Sequence, residues 1–130
     1  MKGPAERRAL QIAVGVAALV PIAAGLAGVL EGPAFLDLRG PAQALTHGAY
    51  LSGLLLGVGL GFWYTIPAIE RQGGTFTLLS FIVVLGGLAR AWTALRLGVA
   101  TPLVIGPLVM ELAVTPALWA WQRRMARRVG

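Results

Sequence analysis

The chain has 130 residues, 57% of them hydrophobic and 12% charged, where a soluble domain carries about 25% charged residues. It holds no Cys, which excludes disulfides, thiolate catalysis and Cys-based metal sites. In a soluble protein the net charge of +6 would point to nucleic acid, but here the basic residues sit at the ends of apolar runs, which assigns them to topology and lipid headgroups and predicts no nucleic-acid partner.

Four apolar stretches, about 9–30, 42–69, 76–97 and 103–121, each reach the roughly 20 helical residues that a bilayer core about 30 Å thick requires. The expected fold is all-α: a polytopic membrane protein, an antiparallel four-transmembrane-helix bundle forming a single integral membrane domain over 1–130.

The first stretch follows Lys2-Gly-Pro-Ala-Glu-Arg7-Arg8. It is longer than the usual signal-peptide core of about 7–15 residues and runs into Glu31-Gly-Pro without a cleavage site, so it is expected to be retained. Pro21 lies mid-span and should kink or loosen the helix. The connection from Glu31 to Pro41 mixes Phe35, Leu36 and Leu38 with Asp37 and Arg39, which suits an interfacial turn or short helix. Pro41 fits the first turn of the second helix. Glu70-Arg-Gln-Gly-Gly-Thr75 and Gly98-Val-Ala-Thr-Pro102 are short turns, which force antiparallel neighbours. Gln122-Arg-Arg-Met-Ala-Arg-Arg128 reads as an exposed basic tail.

Lys2, Arg7, Arg8, Arg71, Arg123, Arg124, Arg127 and Arg128 fall on one side of the expected bundle, and only Arg39 and Arg96 on the other. The positive-inside rule then places both termini and the second loop in the cytoplasm. Arg7, Arg8, Arg71, Arg123, Arg124, Arg127 and Arg128 serve as lipid-headgroup or topology anchors on this reading. Phe62, Trp63, Tyr64, Phe76, Trp119 and Trp121 should form the aromatic belt of that face, with Tyr50 and Trp92 marking the other. The excess of Arg over Lys hints at a GC-rich bacterial genome.

Gly53, Gly57 and Gly61 recur at four-residue spacing, with Gly59 nearby. In lipid, small-residue ridges let helix backbones approach closely, so this set is a helix-packing candidate, either within the chain or as a groove or dimer seam. Arg90 and Glu111 are ionisable residues inside spans, each costing about 2.5–3.5 kcal/mol in hydrocarbon. By helical rise Arg90 lies about 10 Å and Glu111 about 13 Å below the same outer boundary, so an intramembrane ion pair is the simplest account. The alternatives are a proton or cation site at Glu111 and a polar contact with lipid or a partner. Pro107, Glu111 and Thr115 make an i, i+4, i+8 stripe, and Pro107 frees the carbonyl of Leu103. Pro116 adds a second expected kink. His47 is the only histidine, near Tyr50 and Ser52. With one His and no Cys, a closed metal site would need carboxylates that the spans do not supply, so no metal and no cofactor is expected. No Ser/His/Asp set, phosphate loop, dinucleotide fingerprint or paired-carboxylate site occurs.

The blocks Tyr50-Leu-Ser-Gly-Leu-Leu-Leu-Gly57, Pro67-Ala-Ile-Glu-Arg71, Gly86-Gly-Leu-Ala-Arg90 and Glu111-Leu-Ala-Val-Thr-Pro116 resemble, in order and over nearly the whole chain, a bacterial family of small four-helix integral membrane proteins known only as a domain of unknown function. In that family an Arg usually precedes the Tyr-Leu-Ser-Gly block; here the position is Ala49, and part of an outer polar cluster would be lost with it. The resemblance implies an inner-membrane four-helix bundle and no activity.

The expectation is therefore a non-enzymatic membrane protein, an accessory or stabilising subunit of a larger membrane complex. Its partners would be the lipid bilayer and other membrane subunits, and its location the bacterial cell inner membrane. The rival is a small homo-oligomeric transporter or channel using Glu111.

Overall fold

The computed structural model describes the backbone of residues 3–31 and 42–129 and the side chains of 4–30, 46 and 48–127. Every regular element among these is helical: α1 (Gly3–Glu31), α2 (Ala42–Thr65) with a 3₁₀ turn Ile66–Ala68, α3 (Gly73–Leu97), α4 (Pro102–Val109), a π-helical turn Met110–Val114, and α5 (Thr115–Val129). Four helical stretches are long and apolar enough to cross a membrane: Pro4–Leu30, Gly48–Ala68, Gly73–Leu97 and Pro102–Arg127. The expected interfacial segment after Glu31, with Arg39 and Pro41, falls outside the described residues, as do Lys2 and the side chains of His47 and Arg128.

The apolar surface is turned outward. Leu95 is 80% exposed, and Leu30, Tyr64 and Leu97 each at least 70%, a pattern that suits acyl chains rather than water. Among the described residues the buried set is Leu10, Val14, Ala18, Phe62, Ile69, Phe76 and Met125, the polar Thr65, Ser80 and Gln122, and the glycines Gly25, Gly28, Gly59 and Gly87.

The chain divides into two compact units. The first joins residues 1–13 to 67–130, and the second is Val14–Ile66. In the second unit, α1 and α2 meet along Ala18, Ile22, Gly25 and Gly28 on one side and Ser52, Leu56 and Gly59 on the other, with the pairs running in opposite order along the two helices. The fit leaves no room for a side chain. A Cβ on Gly25 would lie 2.5 Å from the Leu56 amide nitrogen and 2.7 Å from the Ser52 carbonyl oxygen, and one on Gly59 would lie 2.5 Å from Ile22 Cγ1. Trp63 Nε1–H donates to the Gly15 carbonyl at 3.1 Å near the other end of this seam. Pro21 lies within α1, which continues through it.

Gly57, expected on the packing ridge, instead faces open space, with nothing within 4 Å of where its Cβ would stand. Gly53 has only Val29 Cγ2 at 3.9 Å. The reason is helical geometry. At 100° per residue Gly57 lies about 100–160° round α2 from the residues that line the contact with α1. Ser52, Leu56 and Gly59, at i, i+4 and i+7, stay on one face.

In the first unit, α3 packs against α4, the π turn and α5. Gly73 meets Gln122, Thr77 meets Trp119, and Gly87 meets Glu111, so here too the pairs run in opposite order. Gly98 ends α3 at φ 66°, in the left-handed region that glycine enters without strain, and its neighbour Val99 N–H bonds the Ala94 carbonyl at 3.0 Å. Pro102 opens α4 at its first turn.

Two expectations about the ends change. Residues 122–128 are not a separate exposed tail. They continue α5 as an amphipathic helix whose Gln122 and Met125 are buried. Phe62 and Phe76 are core residues rather than belt residues, while Trp63 and Tyr64 are exposed.

Candidate functional site

Glu111 is the centre of the candidate site. It lies in the π turn Met110–Val114, where one extra residue widens the helix. The local cause is Pro116. It has no N–H to offer the Leu112 carbonyl, and in a regular α-helix its ring would crowd that carbonyl. Thr115 supports the wider turn: its backbone N–H bonds the Met110 carbonyl, and its Oγ1–H donates to the same oxygen at 2.8 Å. Pro107, one turn before Glu111, removes another donor.

Across the seam, Gly87 is buried on α3 and supplies the space. A Cβ there would come within 2.8 Å of Glu111 Cβ and 3.0 Å of Glu111 Oε2. Arg90, three residues on, sits on the same side of α3. Its Nη2 stands 3.1 Å from Glu111 Oε1, and its Nε donates to Oε1 at 3.3 Å and to Oε2 at 3.4 Å. The two partners differ in surroundings: the Glu111 side chain is 16% exposed and that of Arg90 42%. The carboxylate is thus held inside the seam, while the guanidinium reaches it from the lateral surface.

A second polar cluster lies at the other end of the first unit. Arg7 Nε donates to Glu70 Oε2 at 2.7 Å, and Arg7 Nη2 to the Pro67 carbonyl at 2.9 Å. The Arg7 guanidinium, through that hydrogen bond, holds the Glu70 carboxyl below its ordinary value. Glu6 accepts from Trp121 Nε1 at 3.1 Å and lies 3.8 Å from Arg124 Nη2. Gln122, fully buried, donates from Nε2 to the Ile69 carbonyl at 2.7 Å and leaves its Oε1 without a partner, as is Ser80 Oγ on α3. Trp119 Nε1–H donates to Thr77 Oγ1 at 2.9 Å, and the Arg123 guanidinium lies 5.7 Å from the Trp119 ring centroid. Arg8, Arg71 and Arg127 are exposed.

The sequence-level candidates therefore separate into groups. Arg90 and Glu111 stand together. Arg7 and Arg124 are engaged by carboxylates, and Arg123 by an indole. Arg8, Arg71 and Arg127 make no ion pair among the described residues. Among the described residues no group of three or more His, Asp or Glu could hold a metal ion. Gly87, Glu6, Gln122, Thr77, Gly25 and Gly28 went unrecognised as site or packing residues. For Gly25 and Gly28 the signal was present, as small residues at three-residue spacing inside an apolar run. For Gln122, its i, i+3 spacing to Met125 was the only trace.

Taken together, four helices long and apolar enough to cross a membrane, with only helical elements among the described residues and the Arg90–Glu111 pair held between two of the helices, are the features of a multi-pass membrane protein. It belongs to the family described as a domain of unknown function, DUF4345, whose sequence profile matches residues 9–122. No curated protein and no solved structure matches it.

Proposed function

We propose that this protein is a non-enzymatic accessory or stabilising subunit of a larger membrane protein complex. We read it as an antiparallel four-helix bundle of the bacterial inner membrane, with both termini in the cytoplasm. The observation that carries the reading is the lopsided Arg90–Glu111 pair. A guanidinium 42% exposed on the flank of a membrane span is costly against acyl chains, on the order of 2.5–3.5 kcal/mol. A partner helix packed over α3 at that point removes the cost. The residues around Arg90 fit such a contact: Gly86 and Ala89 are small and exposed, and nothing lies within 4 Å of a Cβ position on Gly86. Purification in gentle detergent followed by mass spectrometry tests this. A defined stoichiometric partner is expected, and a chain purifying alone contradicts it.

One observation favours the rival reading, a homo-oligomeric transporter or channel. Glu111 sits on a π turn, a feature frequent at functional sites. Under that reading Glu111→Gln abolishes a proton-coupled flux and leaves folding intact. Under the subunit reading the same variant weakens the contact between α3 and the π turn, and there is no flux to lose.

A further inference from the structure

We propose that the outward face of α5, Arg123, Arg124 and Arg127 beside Trp119, binds the phosphate of an anionic phospholipid. The orientation of this face is fixed by the opposite one. Gln122 is tied to the Ile69 carbonyl and Met125 is 2% exposed, so the helix cannot roll. Ala120, Arg123, Arg124 and Arg127, all exposed, then form an i, i+3, i+4, i+7 stripe pointing away from the protein. Trp119 borders the stripe. Its ring is pinned by the bond to Thr77, and Arg123 stacks over it at 5.7 Å.

Position along the helix selects the ligand. Apolar spanning sequence ends at about Trp121, and the rise from Trp119 to Arg127 is about 12 Å, which carries the stripe from the edge of the hydrocarbon through the headgroup layer. An indole belongs at that edge, and arginine donors at the depth of the phosphates suit planar, bidentate recognition.

The charge is unbalanced. Among the described residues, Arg124 alone of the three arginines stands in an ion pair, with Glu6 at 3.8 Å. Arg8, without an ion pair among the described residues, belongs to the same unit. A net-neutral headgroup does not compensate this surplus; a net-negative one does. The inference goes beyond the subunit reading and stands whether or not the chain has a protein partner.

The test uses the full chain in neutral detergent. Native mass spectrometry compares retention of phosphatidylglycerol with that of phosphatidylcholine bearing the same acyl chains. Preferential retention of phosphatidylglycerol is expected, weakened about fivefold for each arginine removed in Arg123→Gln/Arg127→Gln. Arg123→Lys/Arg127→Lys should keep a reduced preference. Arg96→Gln, in the last turn of α3, should leave it unchanged. Equal retention of the two lipids overturns the proposal. So does an undiminished preference in the Gln double variant, a loss as large in Arg96→Gln, or displacement of the lipid by an equal concentration of inorganic phosphate.

Discussion

The α1–α2 seam and the α3–α5 seam hold helices together by different physics. The first is steric. Gly25, Gly28 and Gly59 bring backbone to within reach of backbone; Ser52 bonds its own helix at the Gly48 carbonyl, and a hydrogen bond from Trp63 Nε1–H to the Gly15 carbonyl crosses near one end. The second is polar. Arg90 pairs with Glu111 of the π turn, Trp119 bonds Thr77, and Gln122 reaches past the start of α3 to the Ile69 carbonyl, while Gly87 makes space for the first of these. In lipid no hydrophobic effect separates helix from solvent, so close packing and interhelical hydrogen bonds are the two means available. The first seam leans mainly on close packing and the second mainly on polar contacts. A steric seam should fail abruptly when space is filled, and a polar seam should fail in parts.

The largest effect is expected in the steric seam. Gly59→Leu drives a side chain into Ile22 and the α1 backbone, and should cost about 3 kcal/mol or more, read as loss of the folded fraction in detergent. A normally stable Gly59→Leu would break the distinction. Gly57→Leu, two residues away and facing open space, should fall within about 0.5 kcal/mol of the parent. If that variant stays folded but no longer assembles, the exposed face of α2 is a partner surface.

In the polar seam, Arg90→Leu strands the carboxylate of Glu111 and should cost about 2–3 kcal/mol, below the value for a fully buried pair because Arg90 is partly exposed. Arg90→Leu with Glu111→Leu should be milder than either single change, and a double-mutant cycle measures the coupling. Gln122→Met should cost about 1 kcal/mol. It loses the bond to the Ile69 carbonyl but also removes the orphaned Oε1. A stabilised Gln122→Met would mean the unpaired oxygen costs more than the bond contributes.

The smallest effect belongs to pH. The folded-state pKa of Glu70 is lowered, so the Arg7–Glu70 contribution is fully present above the ordinary carboxylate value of 4.5 and is lost as pH falls through the lowered value. Acid titration of thermal stability should show this loss in the parent and not in Glu70→Gln.

The helical class and the four membrane-length stretches were legible because span length is a one-dimensional property, set by bilayer thickness and the rise per residue. The similar depths of Arg90 and Glu111 followed from the same rise, counted from the turn at Gly98. What was not legible depended on angle rather than length. A four-residue glycine repeat looked like a ridge, but at 3.6 residues per turn the contact stripe ran through Ser52, Leu56 and Gly59. The π turn depends on how Pro116 and Thr115 share the Met110 and Leu112 carbonyls, which no spacing rule encodes. The polar end cluster was hidden because a charged tail reads as solvated until Gln122 and Met125 are seen to be buried.

The central claim, that the Arg90 flank of α3 is covered by another protein, is tested most directly by a photo-crosslinking residue at Ala89 in intact cells. A discrete adduct with a different membrane protein is predicted, absent when the probe is moved to exposed Leu51 on α2. Lipid adducts alone at Ala89, or adducts only with a second copy of this chain, would contradict it.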